Sequence, residues 1–136
     1  QLREQVLTKF EESEYLFERS RRFFETALMQ IESGFYDLAA FSLEQSLQLY
    51  LKACLLKMGV DYPRTHSVRR LLEIIHEVSG HEDLRNLLSK YAVELGSLED
   101  AYITSRYVAR SYSREEVEKL KSTVEEVKDA IRRLIS

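Results

Sequence analysis

The stretch DLAAFSLEQSLQLYLKACLLKMG, residues 37–59, decides the fold, and DYPRTH, residues 61–66, follows it. From Leu38 to Met58 it reads as one helix, apolar nearly all round, with a thin polar stripe. Glu44, Gln48 and Lys52 recur at four-residue steps and fall along one line of that helix. A helix with so little polar surface has to be enclosed by neighbours. The chain is therefore all-α, a bundle of four to five main helices plus a short one. Glu44 and Lys52 can each reach the Gln48 amide between them. The stripe is either self-satisfied or the wall of a polar groove.

Punctuation outside this helix agrees. The four glycines and the one proline all fall between helical patterns, and no segment alternates as a strand does. Gly34, Gly59, Gly80 and Gly96 each follow a periodic run, where a helix end favours a left-handed residue. The first helix is expected over Leu2–Glu32, with a stripe of Val6, Phe10, Phe17, Phe24, Leu28 and Ile31. Its first turns, within residues 1–13, are expected to project beyond the body. Asp37 is placed to cap the second helix. A third helix follows Ser67, with Val68, Leu71, Leu72, Ile75 and Val78 inward. A fourth spans Glu82–Leu95, and a short one follows Ser97 with Asp100 in a box-like cap. Ser113 and Glu116 form a capping box that opens the last helix. Val117, Leu120, Val124, Val127, Ile131 and Leu134 make its narrow seam, for a neighbour in the bundle or for a partner chain.

Composition sets further bounds. At 136 residues the chain is expected to form a single domain, residues 1–136. Twenty basic against 23 acidic residues give a net charge of −3, so bulk charge does not draw it to nucleic acid. No apolar run reaches the roughly 18 residues of a membrane span, and no signal-peptide pattern opens the chain at Gln1. Cys54 is the one cysteine, which excludes an intrachain disulfide and fits a cytoplasmic setting. On an apolar helix it reads as a buried thiol. The three histidines make no metal pattern, no glycine loop cradles phosphate, and no cofactor is implied.

The segment YITSRYVARSYSR, residues 102–114, carries the candidate chemistry. Arg106, Arg110 and Arg114 step by four, interleaved with Tyr102, Tyr107 and Tyr112. If the first part is helical, Arg106 and Arg110 point the same way. Guanidinium groups grip phosphate in bidentate fashion and tyrosine rings stack on bases. Arg64, His66, Arg69 and Arg70 form a second basic group, and Arg19, Arg21 and Arg22 a third. The plain alternative pairs the downstream arginines with Glu99, Asp100 and Glu115. The candidate binding set is Arg106, Arg110, Tyr107, Tyr112, His66 and Glu44.

Taken in order, LAAFSLEQSLQLYLKACLLKMG, PRTHSVRRLLEII and SRYV before the last helix resemble the HEPN domain (higher eukaryotes and prokaryotes nucleotide-binding). The likeness runs from about Glu14 to Ile135. It implies an up-and-down helical bundle, usually a homodimer, often encoded beside a nucleotidyltransferase in a toxin–antitoxin-like pair. Many members are ribonucleases that use an Arg followed, after four to six residues, by a His. Here the positions after Arg106 hold Ser111, Tyr112 and Ser113, and those after Arg110 hold Glu115, Glu116 and Val117. Arg70 and His76 satisfy the string, in the wrong helix. The expectation is a non-catalytic module that binds a nucleotide or RNA phosphate. Its alternatives are a metal-independent ribonuclease toxin and a structural interaction module.

Overall fold

The computed structural model describes residues 8–107 and 109–135, and for residues 105–107 the backbone alone. Among the described residues there are six helices and no strand: α1 Lys9–Glu32, α2 Tyr36–Lys57, α3 Val68–Ser79, α4 Asp83–Lys90, α5 Ala92–Tyr107 and α6 Arg114–Ile135. No described helix is long and apolar enough to cross a membrane.

The enclosed helix of the sequence is α2, which packs against α1, α3, α5 and α6. Ala39, Ala40, Leu43, Leu47, Leu51 and Leu55 have no exposed surface. Each buried leucine contributes roughly 1.5–3 kcal/mol of apolar transfer, so this one helix organises the core. Cys54 is buried, and burial pushes its thiol up to about 12, which leaves it unreactive. Leu38 departs from expectation. It stays exposed with Met29 and Phe35 at the α1–α2 turn, while Ala39 and Ala40 take the inward positions of the same turn.

The α1–α2 turn is tight, with Gly34 at φ +78°, and the two helices run antiparallel. Phe17 meets Tyr50, Ser20 meets Ser46, and Gln30 meets Ser42. Asp37 does not cap α2. The cap position is Phe35, without a side-chain bond, and Asp37 lies in the first turn, where its charge suits the helix dipole.

Several other expectations need correction. The first helix does not run unbroken from Leu2, a residue outside those described. Thr8 is extended and closes a capping box with Glu11, so α1 starts at Lys9. At its start Lys9 pairs with Asp61 at 3.3 Å, Phe10 is exposed, and Ser13 is buried. Val6 is outside the described residues. The buried line of α1 is Ser13, Leu16, Ser20, Ala27 and Ile31, while Phe10 and Leu28 are exposed. Small residues hold this line because α1 lies close along α2, and large rings fit only at its edges. Val78 is likewise exposed at the end of α3.

The Glu82–Leu95 helix divides at Tyr91, whose ring is buried and whose hydroxyl bonds Glu126 of α6. Beyond it α5 runs through Gly96, Ser97 and Asp100 without a break, so there is no cap at Gly96 and no separate short helix. A glycine inside a helix costs about 1 kcal/mol against alanine. Burial of Leu95, Leu98 and Ala101 outweighs that. The Ser113–Glu116 capping box is formed as read. The α6 seam faces the bundle: Val117, Leu120, Val124, Val127 and Ile131 are buried in the common core, leaving no seam for a partner chain.

One polar group interrupts that packing. Lys128 of α6 points between Phe24 and Tyr50, 5.0 and 5.5 Å from their centroids, and donates to Ser46 Oγ at 2.6 Å. Burial lowers its ammonium to about 8; Arg132 adds to that, and Glu125 and Asp129 oppose it. Lowering this pKa means that below about pH 8 the folded chain carries a poorly hydrated charge. Stability from this group is therefore regained as pH rises from about 8 towards 10.5. Lys128→Met should stabilise the fold at pH 7 by up to about 3 kcal/mol, with the gain shrinking as pH rises from about 8 towards 10.5. A denaturant midpoint that falls in the variant at pH 7 would refute this. Val127→Asp should cost about 3 kcal/mol or more. Unchanged thermal unfolding would mean that the α6 seam is not core.

Candidate functional site

The polar stripe of α2 is a connected network. Glu44, fully buried, accepts from Gln45 Nε2 at 2.8 Å and from Gln48 Nε2 at 2.7 Å. Gln48 Oε1 accepts from Lys52 Nζ at 3.1 Å and lies 3.3 Å from Nδ1 of His66. The self-satisfied reading of the stripe therefore holds, and its outer end reaches His66. Burial pushes the Glu44 carboxyl up to about 7; the bonds from Gln45 and Gln48 and the charge of Lys52 oppose this, while Glu99 adds to it. Burial also lowers the Lys52 ammonium, against the pull of Glu44. Glu44 on one side and Lys52 on the other fix which way the Gln48 amide faces. The ring nitrogen that meets Gln48 Oε1 is then the donor, so His66 Nδ1–H points at Gln48.

His66 lies flat on Tyr102 of α5, with centroids 4.5 Å apart and planes 23° apart, and Tyr102 stacks in turn near Phe41 of α2 at 6.2 Å. Beside them Glu99 ties α5 to the start of α3. It accepts from Ser67 Oγ at 2.6 Å, from Arg69 N at 3.1 Å and from Arg69 Nη2 at 2.7 Å. Burial alone would raise its carboxyl, but these bonds outweigh burial and hold it below the usual range.

The second group lies in the segment between α5 and α6. Arg110 sits over the Tyr112 ring, 3.9 Å from its centroid, and pairs with Glu116 at 3.1 Å. The hydrogen bond with Tyr112 is the largest cause raising its pKa, and Glu116 adds to it. Tyr112 is buried, its hydroxyl 3.4 Å from Thr104 Oγ1. A cleft of about 310 Å³ opens here, lined by Gly34, Tyr36, Asp37, Arg110, Ser111 and Tyr112.

The structure thus joins Glu44 to His66 and Arg110 to Tyr112, in two separate groups. Helix α5 ends at Tyr107, so Arg110 is not on the helical face of Arg106. The chain turns there to bury the Tyr112 ring and to open α6 at Ser113. The side chains of Arg106 and Tyr107 lie outside the described residues. On the backbone of α5, Arg106 stands one turn beyond Tyr102. The acidic partners also differ from expectation: Glu116 takes Arg110, Glu99 takes Arg69, and Arg114 pairs with Glu32 and Glu118. The remaining basic groups divide. Arg21 is engaged by Glu18 and Glu25, and Arg70 by Glu73 and Glu77. The Arg70–His76 string forms no site, since His76 contacts the His81 carbonyl through Nδ1 and Arg85 through Nε2.

The HEPN domain model matches residues 13–134 of this sequence, nearly the whole chain. The chain belongs to the HEPN family. Comparison with curated proteins finds no match. This HEPN chain departs from the arginine–histidine spacing at the point where Arg110 and Tyr112 stand. The residues that sequence reasoning undervalued are Glu99 and Ser67, which clasp α3 to α5. A capping serine with a carboxylate 32 positions away in sequence leaves no local signal.

The raised Glu44 carboxyl has a defined pH signature. In the unfolded chain Glu44 ionises near 4.5, and in the fold at about 7. The folded state binds the extra proton between those values, so this group costs stability as pH rises from about 4.5 to 7. The interval corresponds to about 3 kcal/mol. Glu44→Gln should therefore gain on the parent chain as pH increases from 5 to 8 in urea titrations. A constant or narrowing difference would mean that Glu44 titrates normally.

Proposed function

We propose that this HEPN chain is a non-catalytic module that binds a nucleotide or an RNA phosphate. The observation that carries the reading is Arg110, oriented on the face of Tyr112 at the edge of the 310 Å³ cleft. Its acidic partner among the described residues, Glu116, is 46% exposed at the side chain. Such surface pairs are worth about 0–1 kcal/mol. A phosphate offering bidentate oxygens displaces one at little cost. Arg106, on the neighbouring turn of α5, is assigned to the same ligand, with Tyr107 and Tyr112 beside it. The His66–Tyr102 stack offers aromatic surface on α5, one turn before Arg106.

Assembly as a homodimer and pairing with a nucleotidyltransferase, in a toxin–antitoxin-like setting, belong to the same proposal. Membership of the family supports them, and the exposed Met29, Phe35 and Leu38 supply apolar surface for association. The ribonuclease alternative has less support. The positions that would carry its histidine hold Ser111, Tyr112 and Ser113 after Arg106. Tyrosine titrates near pH 10 and is a poor substitute at neutral pH.

Fluorescence polarisation with labelled AMP and a short single-stranded RNA tests the reading. Arg106→Ala with Arg110→Ala should weaken binding at least tenfold, by about 1.4 kcal/mol or more, with unchanged helicity by circular dichroism. Affinity should also fall as salt rises. Absence of binding by the intact protein would end the proposal. RNA incubated without metal should remain intact; cleavage would replace this reading by the ribonuclease one.

A further inference from the structure

Between the start of α3 and α5 lies a second cleft, of about 250 Å³, lined by His66, Ser67, Glu99, Tyr102 and Ile103. Its chemistry is one-sided. Glu99 enters it as a carboxylate with 17% of its side chain exposed. Arg69 balances that charge, and among the described residues the cleft is lined by no lysine or arginine that would hold a phosphate. A carboxylate offers about four acceptor positions, two on each oxygen. Among the described residues Oε2 receives Ser67 Oγ and Arg69 N, whereas Oε1 receives Arg69 Nη2 alone. Capacity for one further donor is therefore left at Oε1. The rest of the lining is aromatic or apolar: the Tyr102–His66 stack and the exposed Ile103.

A group that suits these walls is neutral, carries hydroxyl donors and has a flat apolar side. Whole-ligand pockets begin near 300 Å³, so a cleft of this size takes part of a nucleotide. Acidic side chains receive sugar hydroxyls in other nucleotide sites for the same reason, since an ionised carboxylate is purely an acceptor. We propose that this cleft is a ribose-and-base subsite, with Glu99 accepting a sugar hydroxyl and the Tyr102–His66 pair supplying the stacking face. The Glu44–Gln48–Lys52 network then has a role beyond packing: it positions the His66 ring that completes the platform. The subsite deepens the nucleotide reading above and rests on it for the phosphate end alone.

Calorimetric titration with AMP, 2′,3′-dideoxy-AMP and adenosine separates the two ideas, using the parent chain and Ile103→Glu. Ile103 is exposed, so the variant should fold. The dideoxy form should bind at least about tenfold more weakly than AMP, as expected for loss of a hydrogen bond to a charged group. Adenosine should bind without its phosphate, and Ile103→Glu should abolish that binding. Equal affinity for AMP and its dideoxy form overturns the subsite while leaving an Arg110-dependent phosphate site intact. Adenosine and AMP binding equally well supports the subsite and removes the phosphate reading. Failure of both ligands to bind overturns both.

Discussion

Everything in this bundle depends on the enclosure of α2. A helix surrounded by four others leaves its polar groups no water, so each must find its partner inside the protein. Glu44 illustrates the constraint: it has no exposed surface, yet both of its oxygens are bonded. Among the described residues no buried side-chain polar atom lacks a partner. An unpaired group of this kind would cost about 1–3 kcal/mol, a large fraction of the total stability of a domain this size. The polar stripe is thus what makes a wholly enclosed α2 compatible with a carboxylate in its middle.

The same constraint links core to surface. A buried carboxylate and a half-buried ammonium flank one amide, and that amide meets a histidine at the protein edge. Orientation is transmitted outward through three side chains on one helix face, and ends in the stacked rings of His66 and Tyr102. The candidate site is therefore built on rigid elements: its platform is set by α2 and α5 and by the clasp of Glu99 on α3. The arginine segment between α5 and α6 differs. Arg110 is held by one ring and one exposed carboxylate, and its surroundings are those of a surface group.

What was legible in the sequence follows from which interactions are local. The helices α2, α3 and α6 were readable because periodicity, the Ser113–Glu116 box and glycines at left-handed ends are near-neighbour signals. The Glu44–Gln48–Lys52 line was readable because four-residue spacing maps directly onto a helix face. The break at Tyr91 was not, because a ring anchored by Glu126, 35 positions away, overrides local helix preference. Gly96 misled for the opposite reason, since tertiary burial carried the helix through it. The stripe of α1 was only partly read: Ile31 is buried and Phe17 and Phe24 pack at the edge of the core, but Phe10 and Leu28 face outward and Ser13, Ser20 and Ala27 hold buried positions that no apolar pattern marks. Lys128 left one trace, a lysine in line with Val124 and Ile131 on the inward face. The pairing of Arg110 with Tyr112 depended on where α5 stops, and neither glycine nor proline marks that point.

The Glu99 clasp has a consequence for how the molecule orders itself. One carboxylate satisfies the backbone N–H of Arg69, the Ser67 cap hydroxyl and the Arg69 guanidinium, and all three lie about 30 positions upstream. The first turn of α3 is therefore complete only when α5 has docked. Closing a loop of that length carries an entropy cost of a few kcal/mol, and α4 is contained within it. Helices α3, α4 and α5 are thereby tied together, so the amide of Arg69 should exchange with solvent at the opening frequency of α5 rather than at that of its own helix end.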